Sequence, residues 1–134
     1  MRSHSENKTR FKISASKEIV PIRHRLDCNT RNVLYVVVCQ KCPEEPQYIG
    51  KTKRTLKERG REHLANIEKL KLGTYTKPVS KLYNHFTTGG HSDKDFLIFG
   101  IEEIFGDDFI AMTRERHWIT IGQTVRTGLN TYRT

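Results

Sequence analysis

Two groups of residues in this chain have the types and spacing to do chemistry. The first is Cys39-Gln40-Lys41-Cys42, a C-x-x-C in a turn-rich stretch, a geometry that directs two thiolates at one ion. His85 and His91 flank Gly89-Gly90 and supply two imidazoles that would close a tetrahedral site, with Cys28 as an alternative to one of them. Four protein ligands leave no position for water, so such a site is structural, and zinc is the ion that suits it. A redox role is disfavoured because no βαβ pattern surrounds the pair. The second group is spread more widely. Arg59 and His63 are four residues apart, so on a helix both side chains leave from one face. Glu115 falls in line with Met112, Trp118 and Ile119 on a stripe that is otherwise apolar. A carboxylate facing the body of a domain is costly unless a cation or hydrogen bonds compensate it.

The elements that must position these groups are legible in the hydrophobic pattern. Val33 to Val38 is β-branched and aromatic; Gln40 to Pro46 is rich in turn formers, and a short run Gln47-Tyr48-Ile49-Gly50 follows, which reads as a β-hairpin. The period then changes. Leu56, Gly60, His63, Leu64, Ile67 and Leu70 share one helical face, Thr55 and Glu58 have the spacing of a capping box, and Gly73 is a stop. Pro78 is expected to open a second helix, with Val79, Leu82, Tyr83 and Phe86 as its buried stripe and Gly89-Gly90 at its end. Phe96 to Phe105 is a third strand, Phe109 to Ile121 a last helix, and Gly128-Leu129-Asn130 a closing turn or extended piece. The order β-β-α-α-β-α predicts an α+β fold, a small three-stranded antiparallel sheet flanked by helices with a metal site embedded in it. Residues 1–12 are polar and are expected to form a flexible tail. Phe11, Ile13, Ile19, Val20 and Ile22 are too scattered to mark an element, so 13–32 reads as an extended arm or linker and 33–134 as the domain.

Composition sets the outer bounds. A chain of 134 residues builds one hydrophobic core, and 24 Lys+Arg against 15 Asp+Glu give a net charge of +9, which favours a polyanion as partner. The longest apolar run, Val33 to Cys39, is far short of the roughly 18–20 residues of a membrane span, so no membrane partner is expected. The polar N-terminal stretch has no apolar core like that of a secretory signal, which makes an intracellular location the default. An odd number of cysteines, three, argues against a disulfide framework.

Val33-Leu34-Tyr35, then Tyr48-Ile49-Gly50, then Arg59 and His63, then Glu115 and Asn130 in order along the chain resemble the GIY-YIG nuclease superfamily. Val33 and Leu34 depart from the name of the first triplet, where Gly and Ile would stand, but its tyrosine is kept. A closer resemblance covers nearly the whole folded region. The stretch Cys28 to His63, the segment Leu82 to His91, and Arg114 to Ile119 leading to Gly128-Leu129-Asn130 are similar to the nuclease domain of Penelope-like retroelements, which carries a Cys-Cys-His-His zinc motif inside the fold. Taken singly, each residue has a plain structural role open to it; the ordered set carries the signal.

The resemblance implies a metal-dependent endonuclease acting on DNA, by phosphodiester hydrolysis and as a nick. It also implies service to a reverse transcriptase, which would use the nicked end as primer, and a nuclear setting. Hydrolysis needs a base for water, stabilisation of charge growing on phosphate, and help for the leaving oxygen. By analogy Glu115 holds magnesium or manganese, Arg59 contacts the scissile phosphate, and Asn130 is the terminal residue of the constellation. Tyr35 leads as general base, with Tyr48 and His63 in support. A phenol of pKa about 10 needs a neighbouring cation to ionise, whereas His63 would not, so the base stays open among the three. Lys51, Lys53, Arg54, Lys57 and Arg61, with Arg114 and Arg116 further on, would attract the phosphate backbone and read little sequence. Two other readings are a zinc-stabilised nucleic-acid-binding module that does not cut, and a standalone repair or restriction nuclease of the same superfamily.

Overall fold

A computed structural model of the chain describes residues 8–23, 25–73 and 80–131. The domain is α+β. Its main sheet has three antiparallel strands, β3 (Val33–Cys39), β4 (Gln47–Thr52) and β5 (Phe96–Glu103), in the order β4-β3-β5. Every residue of β3 is buried, as a central strand covered on both faces requires. Period-two alternation divides its side chains between two cores. Val33, Tyr35, Val37 and Cys39 join Leu56, Ile67, Leu82 and Phe86 on one face. Leu34, Val36 and Val38 join Trp118, Ile119, Phe11 and Ile13 on the other.

The first face is covered by α1 (Leu56–Lys71) and α2 (Lys81–Thr87), the second by α3 (Asp108–Gly122). The start of α1 is the expected capping box, with the Thr55 hydroxyl accepting from the Glu58 N–H and the Glu58 carboxylate accepting from the Thr55 N–H. Helix α2 is capped by Ser80, whose hydroxyl accepts from the Tyr83 N–H. Pro78 and Val79, expected at its opening, lie outside the described residues. Among the described residues no helix is long and apolar enough to cross a membrane.

The N-terminal region departs from the expected tail and arm. Arg10–Lys12 and Ile19–Pro21 form an antiparallel pair, β1 and β2, and Phe11 and Ile13 are 1 % and 0 % exposed against the α3 face of the sheet. The tail therefore gives way to ordered chain by Arg10. Gln47 clamps this hairpin to β4: its side-chain amide donates to the Lys12 carbonyl and its carbonyl oxygen accepts from the Ser14 N–H, at 2.8 and 3.1 Å. A buried amide with both ends bonded removes the desolvation penalty that an isolated glutamine would carry.

Candidate functional site around strand β4 and the adjoining metal-ligand cluster

The polar residues of the second group converge on β4, the outer strand of the sheet. Tyr35 pairs with Gly50 across the β3–β4 ladder, and Tyr48 pairs with Val37, so both tyrosines stand on the α1 face. Gly50 is there because the Tyr35 ring lies across it. A Cβ at that position would come within 2.5 Å of the ring and within 2.8 Å of Tyr48.

Arg59 and His63, on the α1 face turned toward the sheet, reach this pair. The Tyr35 hydroxyl lies 2.7 Å from His63 Nε2, and Arg59 Nε donates to the same hydroxyl oxygen at 3.2 Å. The other ring nitrogen of His63, Nδ1, lies 2.9 Å from the Tyr83 hydroxyl on α2, which also accepts from Asn66 Nδ2 at 3.2 Å. Five side chains from β3, α1 and α2, Tyr35, Arg59, His63, Asn66 and Tyr83, thus form one chain of hydrogen bonds. Tyr83 belongs to it, although its spacing suggested a core position only.

Burial sets the electrostatics. It pushes the Tyr35 phenol well above its ordinary pKa; neighbouring Tyr48 adds to this, and Arg59 opposes it without prevailing. The Tyr48 phenol is also raised by burial, with Arg59 pulling down and Glu115 pushing up. Burial and then the Arg59 charge lower His63 to about 3, so its imidazole is neutral near pH 7. Burial also disfavours the Arg59 charge, but Tyr35 and Glu62 beside it outweigh that and keep the guanidinium protonated. With the Tyr35 phenol raised and the His63 imidazole lowered, the resting pair is neutral on both sides, joined by one short hydrogen bond.

Glu115 stands on the opposite side of β4. Ladder alternation sends Lys51 toward α3, where its Nζ lies 3.2 Å from Glu115 Oε1. The carboxylate is only 6 % exposed, and this ion pair compensates part of its burial. Glu115 thus meets Lys51 on the α3 side, and Tyr48 on the α1 side feels its charge. Asn130 closes the edge between the two halves: its Oδ1 accepts from the Ile49 N–H at 2.8 Å and its Nδ2 donates to the Ile49 carbonyl at 2.9 Å. The Leu129 N–H donates to the Gln47 carbonyl beside it. Gly128 permits this approach, since a Cβ there would strike the Gln47 carbonyl oxygen. Asn130 thus holds a strand, with both ends of its carboxamide on the Ile49 backbone.

The basic residues divide. Lys53 pairs with Asp108 at 3.0 Å and Arg54 with Glu62, while Lys57 and Arg61 are exposed on α1. Arg114, grouped with them in the sequence, is instead a brace: it binds Glu102 of β5 through two hydrogen bonds of 2.8 and 2.7 Å, and the Trp118 indole donates to the same carboxylate.

The metal-ligand cluster lies at the far end of β3. The Sγ atoms of Cys39 and Cys42 and a ring nitrogen each of His85 and His91 all fall within 4.8 Å of one another. Cys42 Sγ is 3.6 Å from Nε2 of both histidines. Tetrahedral zinc, with bonds of about 2.3 Å to sulfur and 2.0–2.1 Å to nitrogen, sets sulfur and nitrogen about 3.6 Å apart, so the spacing fits. His91 Nδ1 bonds the Thr88 carbonyl, which makes Nδ1 the donor and leaves the Nε2 lone pair facing the sulfurs. Burial raises the Cys39 thiol and lowers His85, the latter helped by His91; a bound cation would favour the thiolate and the neutral imidazole that ligation needs. Cys28 is not one of the four; its carbonyl accepts from the Lys57 N–H near the start of α1. The four residues could hold zinc, and they would pin the β3–β4 turn, α2 and the loop before β5 together. Compared with known proteins, the chain matches no family model, no curated protein and no solved structure.

Proposed function

We propose that this domain is a metal-dependent DNA endonuclease of the GIY-YIG type, with the fold of that superfamily and a structural zinc in the Cys39–Cys42–His85–His91 cluster. The observation that carries the reading is the hydrogen-bonded set Tyr35–His63–Arg59 on one side of β4, with the buried carboxylate of Glu115 on the other. A phosphodiester approaching this site would meet Arg59 as a partly exposed fixed cation, with Tyr35 and His63 buried behind it and a cation-seeking carboxylate across the strand.

The residues divide the work as follows. Arg59 takes a non-bridging phosphate oxygen and balances charge as it grows. Water gives its proton to the Tyr35 oxygen while the Tyr35 proton passes to His63 Nε2, so a phenol that burial keeps neutral still serves as base. Burial is the larger barrier to protonation of His63 and the Arg59 charge the smaller; an anionic phosphate against Arg59 offsets the second. Tyr48 packs beside the Tyr35 ring and limits water there. Glu115 fits a hard divalent cation, magnesium or manganese, because it is a buried carboxylate already drawing a positive group; Lys51 would release it and turn to phosphate. Glu115 would hold the ion, which would supply Lewis-acid stabilisation of a leaving oxygen. Lys53, Arg54, Lys57 and Arg61 hold the backbone of the duplex, consistent with the net charge of +9. The role of the nick as a primer end for a reverse transcriptase, and a nuclear setting, rest on the resemblance to Penelope-like nuclease domains.

The deciding experiment is a supercoiled-plasmid nicking assay on the purified protein with and without magnesium. Nicking is expected with the metal, none in Glu115→Ala, and a severe loss in Arg59→Ala. Tight DNA binding without any cleavage would instead support the non-cutting module, for which the Lys51–Glu115 ion pair is a favourable sign. Cleavage that survives both EDTA and Glu115→Ala would refute the metal mechanism.

A further inference from the structure

We propose that Tyr83 is a positioning residue that fixes the tautomer of His63, holding the proton on Nδ1 so that Nε2 is free to accept from Tyr35. The inference rests on the nuclease reading for its catalytic consequence, while the tautomer itself does not depend on that reading.

The argument is one of proton placement. His63 is 1 % exposed and both ring nitrogens are in hydrogen bonds, Nε2 with Tyr35 at 2.7 Å and Nδ1 with Tyr83 at 2.9 Å. A neutral imidazole has one donor and one acceptor, so one phenol must give its proton to the ring and the other must accept. The two phenols are not equivalent. Tyr35 is 0 % exposed, and Arg59 Nε already donates to its oxygen. A second donation from His63 would turn the Tyr35 proton away from its 2.7 Å partner inside the core, where a lost hydrogen bond costs about 1–3 kcal/mol. Tyr83 is only partly buried, and its oxygen already acts as acceptor for Asn66 Nδ2 at 3.2 Å. The arrangement with fewer buried costs is Tyr35 O–H to Nε2 and Nδ1–H to the Tyr83 oxygen. Asn66 supports it by holding the Tyr83 oxygen in place.

This placement also gives α2 a second task. Ser80 caps the helix, Tyr83 reaches His63, and His85, two residues on, belongs to the metal-ligand cluster. A small shift of α2 would move the Tyr83 oxygen away from His63, so a structural ion at one end of the helix and a proton acceptor beside the sheet share one support.

The test uses the full chain in its zinc-loaded form, labelled with 15N-histidine, and reads the ring nitrogens of His63 by NMR, assigned by difference with His63→Gln. A proton on Nδ1 is expected in the wild type. In Tyr83→Phe, which keeps the ring and removes only the hydroxyl, the proton should redistribute toward Nε2. Plasmid nicking should fall about tenfold, by analogy with the low end of the loss seen when a metal-ligating histidine loses the outer partner of its ring. Asn66→Ala should move both readouts the same way by less. An Nε2 proton in the wild type, or a tautomer unchanged in Tyr83→Phe, would overturn the proposal. If the wild type shows the Nδ1 proton and no nicking under any divalent metal, the positioning role stands and the nuclease reading fails.

Discussion

The metal-ligand cluster and the β4 site are both sets of polar side chains brought together from distant parts of the chain, yet they are completed in opposite ways. Cys39, Cys42, His85 and His91 bring four donor atoms within 4.8 Å of one another, close enough for all four to share one ion. Around β4, Tyr35, Arg59, His63 and Tyr83 satisfy one another, and Glu115 is met by Lys51. The first region has the form of a site that an ion would complete. The second is satisfied from within, and a ligand would have to displace internal partners.

This contrast predicts that the two regions fail differently. Removing zinc, or the substitution Cys42→Ser, should abolish cooperative folding outright, as seen by loss of the thermal transition in circular dichroism; a variant that melts like the wild type would erase the distinction. Close to one zinc per chain is expected by elemental analysis. The next largest effect lies in acid. His63 is held at about 3 in the fold, against 6.5 in the unfolded chain, so the unfolded state takes up a proton first as pH falls. Stability from this residue is fully present above pH 6.5 and drains away between 6.5 and 3, by about 4–5 kcal/mol in all. Urea titrations from pH 7 to 4 should show that slope, and His63→Gln should flatten it.

At the edge of β4 the loss should be smaller. Asn130→Ala removes two hydrogen bonds from the Ile49 backbone and leaves a buried N–H without its acceptor, for about 2 kcal/mol of destabilisation in the same titration. Last comes Lys53→Ala, whose ion pair with Asp108 is solvent-exposed on both sides and should change stability by less than about 1 kcal/mol. Its effect should fall on DNA binding instead, as a shallower dependence of affinity on salt.

Local signals carried much of this into the sequence. The capping box at Thr55–Glu58, the β3–β4 hairpin and the four-residue step from Arg59 to His63 depend on neighbours in the chain, and each is found where the pattern put it. The metal-ligand cluster was legible because thiols and imidazoles at such spacing have few other uses. Three features were not. Phe11 and Ile13 have an alternation too short to mark a strand, and their burial depends on a clamp from Gln47, more than thirty residues away. Tyr83 carries the same apolar ring whether or not its hydroxyl has work to do, so helical spacing could place it in the core and go no further. Lys51 was grouped with phosphate-binding residues by charge. Alternation along β4 already turns it away from Tyr48 and Gly50, but only the placement of α3 reveals Glu115 beneath it.

The Leu129–Asn130 segment has one more consequence. An outer strand with unsatisfied backbone groups is a template on which another chain can add a strand, and the usual guards are proline, charge or a bulge. Here the carboxamide of Asn130 imitates a peptide unit, offering Ile49 a donor and an acceptor as a neighbouring strand would, while Leu129 takes the Gln47 carbonyl. A chain shortened before Gly128 would bare that edge, and its characteristic fault should be association through β4, visible as concentration-dependent oligomers, before any loss of the helices.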